Sequence, residues 1–157
     1  MTITDITITV NGAVRQAPAE ARTVLSDYLR HTVGLTGTHV GCEQGMCGSC
    51  TVLLDGAPVR SCLLLAVQAD GHEIETVEGL ADGAQLSPLQ QAMLEEHGLQ
   101  CGFCTPGVLM SLTHAQREGL TEQEATSLLG GHLCRCTGYG GIRAAIARLW
   151  RDREVTE

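Results

Sequence analysis

The chain has 157 residues and a formal net charge of −8, from 18 acidic against 10 basic side chains, and every base is arginine. That balance argues against a nucleic-acid partner, since phosphate binding needs a basic face. Aromatics are scarce at one Trp, one Phe and two Tyr, which points to small apolar cores, and small scaffolds commonly need a metal or disulfide staple.

The first ten residues have no positive n-region, no long apolar run and no small-residue cleavage site, so no secretory signal is expected. No stretch reaches the ~18 apolar residues that a membrane span requires. A reducing cytoplasm is the default expectation, and there eight cysteines are metal ligands rather than disulfides. Ile6, Ile8 and Val10 alternate with Thr as in a half-buried strand, and Asn11-Gly12 is a hairpin turn returning through about Ala17. Thr23 is placed to cap a helix with Val24, Leu25, Tyr28 and Leu29 at helical spacing, closed by Gly34. Residues 37–50 are rich in Gly and short polar side chains and predict a loop. Thr51–Leu54 and Ala57–Arg60 flank Asp55-Gly56 as a second hairpin. The apolar run Cys62–Val67 predicts a buried strand, and His72–Val77 alternates once more. This half suggests a small mixed sheet over a helix, in the element order of a β-grasp.

Glu78–Ser87 predicts a linker, and no strand signal follows it. Ser87-Pro88 opens a helix to Gly98, and Thr105-Pro106 opens another to about Glu118-Gly119. Thr121 with Glu124 forms a capping box for a third helix, stopped by Gly130-Gly131. Gly140–Arg151 places Ile142, Ile146, Leu149 and Trp150 on one face of a fourth, a face assigned to the core. The expected fold class is therefore α+β, with two domains at residues 1–79 and 80–157, the second a four-helix bundle.

The cysteines fall into two groups of four. Cys42, Cys47, Cys50 and Cys62 read C-x4-C-x2-C with a fourth Cys after eleven residues, the spacing of plant-type 2Fe–2S sites. Gly41, Gly45 and Gly48 let the backbone approach closely. Cys101, Cys104, Cys134 and Cys136 read C-x2-C and then C-x-C. Cys104 ends at the N-terminus of the Thr105-Pro106 helix, where free N–H groups favour a thiolate. Arg135 between the last two cysteines is expected to point away. On spacing alone zinc stays open for this second set. No Cys-x-His pair suggests a Rieske centre, and His132 reads as a surface histidine or one packed behind the ligands. Gly138–Arg143 fails the dinucleotide fingerprint, because Arg143 stands where its last Gly is needed. No nucleophile or acid–base pair stands out, so the chain reads as an electron conduit. One form of that reading is a free-standing two-cluster ferredoxin-type carrier; a zinc-stapled interaction module is the other-class alternative.

Three stretches, residues 41–50, Gln100–Gly107 and Gly131–Tyr139, resemble the small iron–sulfur subunit of the molybdenum hydroxylases, the xanthine oxidase family, and the resemblance spans nearly the whole chain. It implies a plant-type ferredoxin β-grasp domain followed by a helical 2Fe–2S domain, with all eight cysteines as cluster ligands. It implies a large molybdopterin-binding subunit and a medium FAD-binding subunit, in a dimer of heterotrimers. Electrons would pass from the molybdopterin centre through two 2Fe–2S clusters to FAD. Gln100 would hydrogen-bond the pterin, and Cys136 would be the ligand nearest its amino group. Substrate stays open among purines, N-heterocycles, aldehydes, aromatic thioesters and carbon monoxide, because selection happens in the large subunit.

Overall fold

In the computed structural model, which describes residues 2–154, strands β1 (Ile3–Val10) and β2 (Ala13–Glu20) pair antiparallel about Asn11-Gly12. Both turn residues have positive φ, 50° and 76°, as a two-residue type I′ hairpin requires. Chain ends 1 and 157 of the two expected domains lie outside the described residues.

The next segment departs from expectation. Val24, not Thr23, is the N-cap and makes no side-chain cap bond. Thr23 instead uses its backbone, donating to Glu20 and accepting from the Ala66 N–H. A single α-turn, α1 (Leu25–Asp27), passes into a π-helix over Tyr28–Val33 that ends at Gly34 in the left-handed region. Leu25, Tyr28 and Leu29 are all buried against the sheet, so packing decides this segment more than capping does.

Strands β3 (Thr51–Leu54) and β4 (Ala57–Arg60) form the second hairpin about Asp55-Gly56. The strand expected at Cys62–Val67 is absent; two 3-10 turns, Ser61–Leu63 and Ala66–Ala69, take its place. Ser61 explains the fold-back, donating its N–H and its hydroxyl to the Cys50 carbonyl at 3.2 and 2.7 Å. That keeps Cys62 buried and turns Leu63 outward, 61% exposed. Strand β5 (Glu73–Glu75) completes a mixed sheet of order β2-β1-β5-β3-β4, with β1 and β5 parallel and the other neighbours antiparallel.

Among the described residues four α-helices follow. Helix α2 (Pro88–Glu95) has Ser87 as its expected N-cap, and Gln90 adds a capping box beyond that expectation. Helix α3 (Thr105–Arg117) is capped by Cys104 rather than Thr105, with Pro106 in its first turn. Helix α4 (Glu122–Ser127) uses the Thr121–Glu124 box and runs into a 3-10 turn at Leu128–Gly131. Helix α5 (Gly140–Glu154) buries Ile142, Ile146, Leu149 and Trp150 in a core shared with Leu89, Met93, Val108 and Leu112. The molecule is thus α+β, a sheet half followed by a helical half.

The halves interlock. A Cβ on Gly107 of α3 would stand 2.1 Å from the Gly48 carbonyl, and one on Gly48 would stand 2.4 Å from the Gly131 carbonyl. Arg117 at the end of α3 forms a two-pronged ion pair with Glu75 of β5, at 2.6 and 2.8 Å. His114 Nδ1 lies 3.0 Å from the Gly56 carbonyl.

Candidate metal centres

Residues 41–50 run as an irregular loop whose reversals use Glu43, Gly45 and Gly48 at positive φ. No helix or strand spans this loop. The N–H groups of Gln44 and Cys47 donate to Cys42 Sγ at 3.5 and 3.4 Å. With the Cys47 thiol they lower the Cys42 pKa to about 7. Cys62 responds in the opposite sense. Burial pushes it up to about 11, helped by the hydrogen bond its thiol donates to Cys50 and by the charges of Cys50 and Cys42. The four thiols of the first set are therefore linked in space, Cys47 to Cys42 and Cys42 with Cys50 to Cys62.

The second set forms at the ends of helices. Cys136 and Cys101 bring their Sγ atoms within 3.4 Å of each other, and both are exposed. The Phe103 N–H, then the Cys136 thiol, lowers Cys101. Cys136 moves up, chiefly through Cys101. Cys104 is buried, and that burial, then Cys134, pushes it up to about 12. For Cys134 burial is the largest influence and raises it, but the Thr137 hydroxyl at 3.0 Å and neighbouring N–H groups outweigh that, so the net direction is down. Tyr139 fixes the loop: its hydroxyl accepts from the Cys134 N–H and donates to the His132 carbonyl, each at 2.9 Å. These thiols line a groove of about 230 Å³ with Phe103, Leu133 and Arg135. Arg135 is exposed, while Gln100 is exposed immediately before Cys101.

Among the described residues no three His, Cys, Asp or Glu side chains gather as a single ion would need, whereas a 2Fe–2S core takes two ligands at each iron. All eight thiols are free. Two buried polar atoms on residues flanking the thiols have no partner, Thr105 Oγ1, one residue after Cys104, and His132 Nδ1, which faces Gly48 of the first loop. A hydroxyl donor left over beside a thiol set suits sulfur acceptors. The donor chemistry fits iron–sulfur groups at both sets.

Sequence reasoning did not find the contacts joining the two sets. The Leu133 N–H donates to the Cys47 carbonyl at 2.9 Å, and Leu133 is covalently next to Cys134. His132 is buried, not at the surface, with Nε2 2.8 Å from Ser111 Oγ; burial, then the Arg60 charge, lowers its pKa to about 4. Arg60 reaches the same region from β4. The only signals available were a Gly-rich spacing and an Arg two residues before Cys62, neither specific. His39 and Phe103, also unremarked in the sequence, stack with centroids 4.9 Å apart across the halves.

Residues 8–81 match a family described as the 2Fe-2S iron-sulfur cluster binding domain, and residues 76–147 match one described as a 2Fe-2S binding domain. Caffeine dehydrogenase subunit gamma of Pseudomonas sp. (strain CBB1) is 52% identical, over 97% of this chain and 94% of that protein. The xanthine dehydrogenase iron-sulfur-binding subunit of Escherichia coli O157:H7 is 48% identical, over 85% of this chain and 86% of that one. Among solved structures, a chain of quinoline 2-oxidoreductase from Pseudomonas putida 86 superposes with a TM-score of 0.88 at 49% identity, covering 96% of this chain and 97% of its own.

Proposed function

The chain belongs to the family of iron–sulfur small subunits of the xanthine dehydrogenase-type molybdenum hydroxylases, and from that premise we propose which of its residues hold and connect the redox centres. It is the electron-transfer subunit of a multi-subunit oxidoreductase and binds two 2Fe–2S clusters. Cys42, Cys47, Cys50 and Cys62 hold one cluster; Cys101, Cys104, Cys134 and Cys136 hold the other. Residues 1–79 form a ferredoxin-like β-grasp domain and 80–157 a helical domain.

When bound, each cluster supplies a carrier that takes up and releases one electron at a time. The chain's own atoms do the rest. N–H groups of Gln44, Cys47 and Phe103 aim at thiol sulfur and stabilise its negative form. Burial of Cys50, Cys62 and Cys104 excludes water from one side of each set. The Cys47–Leu133 hydrogen bond completes an otherwise covalent route from one ligand set to the other, and this is the observation that carries the reading.

Cys101 and Cys136 are the exposed thiols of the second set, so this face turns toward the molybdopterin of a large subunit. Gln100 there hydrogen-bonds the pterin, and Cys136 is the ligand nearest its amino group. The first set faces an FAD-binding medium subunit. Exposed apolar side chains ring the cysteine loops: Met46 and Leu133 share one groove, Phe103 and Leu133 another, and Leu63 packs beside Gly45. Such a patch on a small acidic chain suits burial by larger partners, and the assembly is a dimer of heterotrimers in the cytoplasm. Among the described residues no helix is long and apolar enough to cross a membrane. The relatives' names include caffeine, xanthine and quinoline, and a nitrogen heterocycle is the proposed substrate class for the complex.

Purification of the native assembly tests this. The expected result is about four irons per copy of this chain, with molybdenum and FAD on two larger co-purifying chains. A monodisperse, iron-loaded chain with no partner would restore the free carrier. A colourless zinc protein would remove both readings.

A further inference from the structure

Arg60 ends β4 two residues before Cys62 and is half-buried. Its guanidinium donates in three directions: Nε to the Gly45 carbonyl at 3.4 Å, Nη1 to the Thr51 hydroxyl, and Nη2 to the Gly131 carbonyl at 2.8 Å. Gly45 lies inside the first cysteine loop, and Gly131 ends the 3-10 turn that precedes Cys134. Thr51 extends the tie, donating its hydroxyl to the Gly48 carbonyl at 2.6 Å. A Cβ on Gly131 would already stand 3.0 Å from Nη2, so the approach is close-packed. None of the ion pairs among the described residues includes Arg60. Carbonyl and hydroxyl oxygens answer the cation, and they leave its net charge in place beside a site that gains about −2 when its cluster is bound.

We infer that Arg60 is a positioning residue for transfer between the two centres: it ties the first cysteine loop to the turn before Cys134 and holds an uncancelled positive charge beside the first set. The inference rests on the two-centre reading above. Its two parts have separate consequences. The charge favours the reduced, more negative form of the nearer centre, so its loss moves that midpoint potential down. The tie keeps Gly131 and Leu133 in register with Cys47. Its loss alters the spacing on which the magnetic interaction between two reduced centres depends. A planar fork can serve oxygens on two loops at once; an ammonium is a point charge that keeps the charge and loses the fork.

The test uses the intact complex carrying Arg60→Met or Arg60→Lys, read by iron content, EPR midpoint potentials and low-temperature splitting of the reduced signals. The expected result is unchanged iron in both variants. Arg60→Met shifts the first centre to a more negative midpoint and changes the splitting. Arg60→Lys returns the midpoint close to the parent but leaves the splitting changed. Parent values of midpoint and splitting in Arg60→Met overturn the inference. If Arg60→Met loses iron, Arg60→Lys decides: altered splitting supports the tie, and parent splitting overturns it. A parent complex with fewer than two reduced signals would instead defeat the two-centre reading, and the inference with it.

Discussion

Gly107 and Gly48 leave no room for a side chain where the two halves meet. At Gly107 the obstacle is the Gly48 carbonyl, 2.1 Å from the position of a Cβ, and backbone cannot move aside as a flexible side chain would. Overpacking of this kind costs roughly 1–3 kcal/mol, so Gly107→Ala should lower the unfolding midpoint of the holoprotein by a corresponding amount. Gly130→Ala is the control, because nothing lies within 4 Å of its Cβ position, and it should stay within about 0.5 kcal/mol of the parent. Equal effects at the two positions would contradict this account of the junction. The ligand assignment is tested equally locally. Cys136→Ser should remove one of the two reduced EPR signals and about half of the iron, since its thiol is proposed for the second set alone. An unchanged iron content would remove Cys136 from the ligands.

The elements differ in how openly the sequence declared them. Both hairpins were legible because Asn11-Gly12 and Asp55-Gly56 are turn residues between strand-like segments, and each pair adopts positive φ. The Ser87 cap and the Thr121–Glu124 capping box were legible for the same reason, as local chemistry that completes itself within four residues. The failures are places where distant groups decide. Cys62–Val67 has the composition of a strand, yet Ser61 bonds back to Cys50 and breaks it into turns. Thr105 looked like a cap, but Cys104 takes that position and leaves Thr105 Oγ1 buried without a partner. The cysteine sets were legible from spacing; the Cys47–Leu133 bond and the Arg60 tie were not, because they join residues more than seventy positions apart.

The second hairpin also yields a pH prediction. Asp55 accepts from the Glu73 N–H at 2.9 Å and pairs with His72 Nδ1 at 2.6 Å. These contacts, the Glu73 bond first, hold its carboxyl below the ordinary 3.8. A pKa lowered by folding means that the contribution is complete above 3.8 and fades as pH falls through the lower folded value. Asp55→Asn should therefore melt below the parent by a constant interval from about pH 7 to about pH 4, with the interval closing only at greater acidity. An interval that closes between about pH 7 and pH 5 would assign the effect to another group.

At the scale of the whole molecule, each half supplies its own set of four thiols, and contacts from both halves brace the junction between them. Leu133 reaches back to Cys47, Arg60 reaches forward to Gly131, and Arg117 grips Glu75. Metal-binding free energy then becomes folding free energy for both halves together. Trp150 is the sole tryptophan and is buried in the helical core, where its indole N–H donates to the Leu120 carbonyl at 2.6 Å. Its fluorescence reports that half. On heating, loss of cluster absorbance and exposure of Trp150 should follow one transition. Two well-separated transitions would mean that the halves fold independently.

The most direct test of the central claim, that this chain holds two linked electron carriers, is a redox titration of the purified assembly followed by EPR. The account predicts two distinguishable reduced 2Fe–2S signals that together integrate to about two spins per chain. At least one should titrate above the roughly −400 mV of plant-type ferredoxin centres. One spin per chain, or no iron-based signal at any potential, would contradict it.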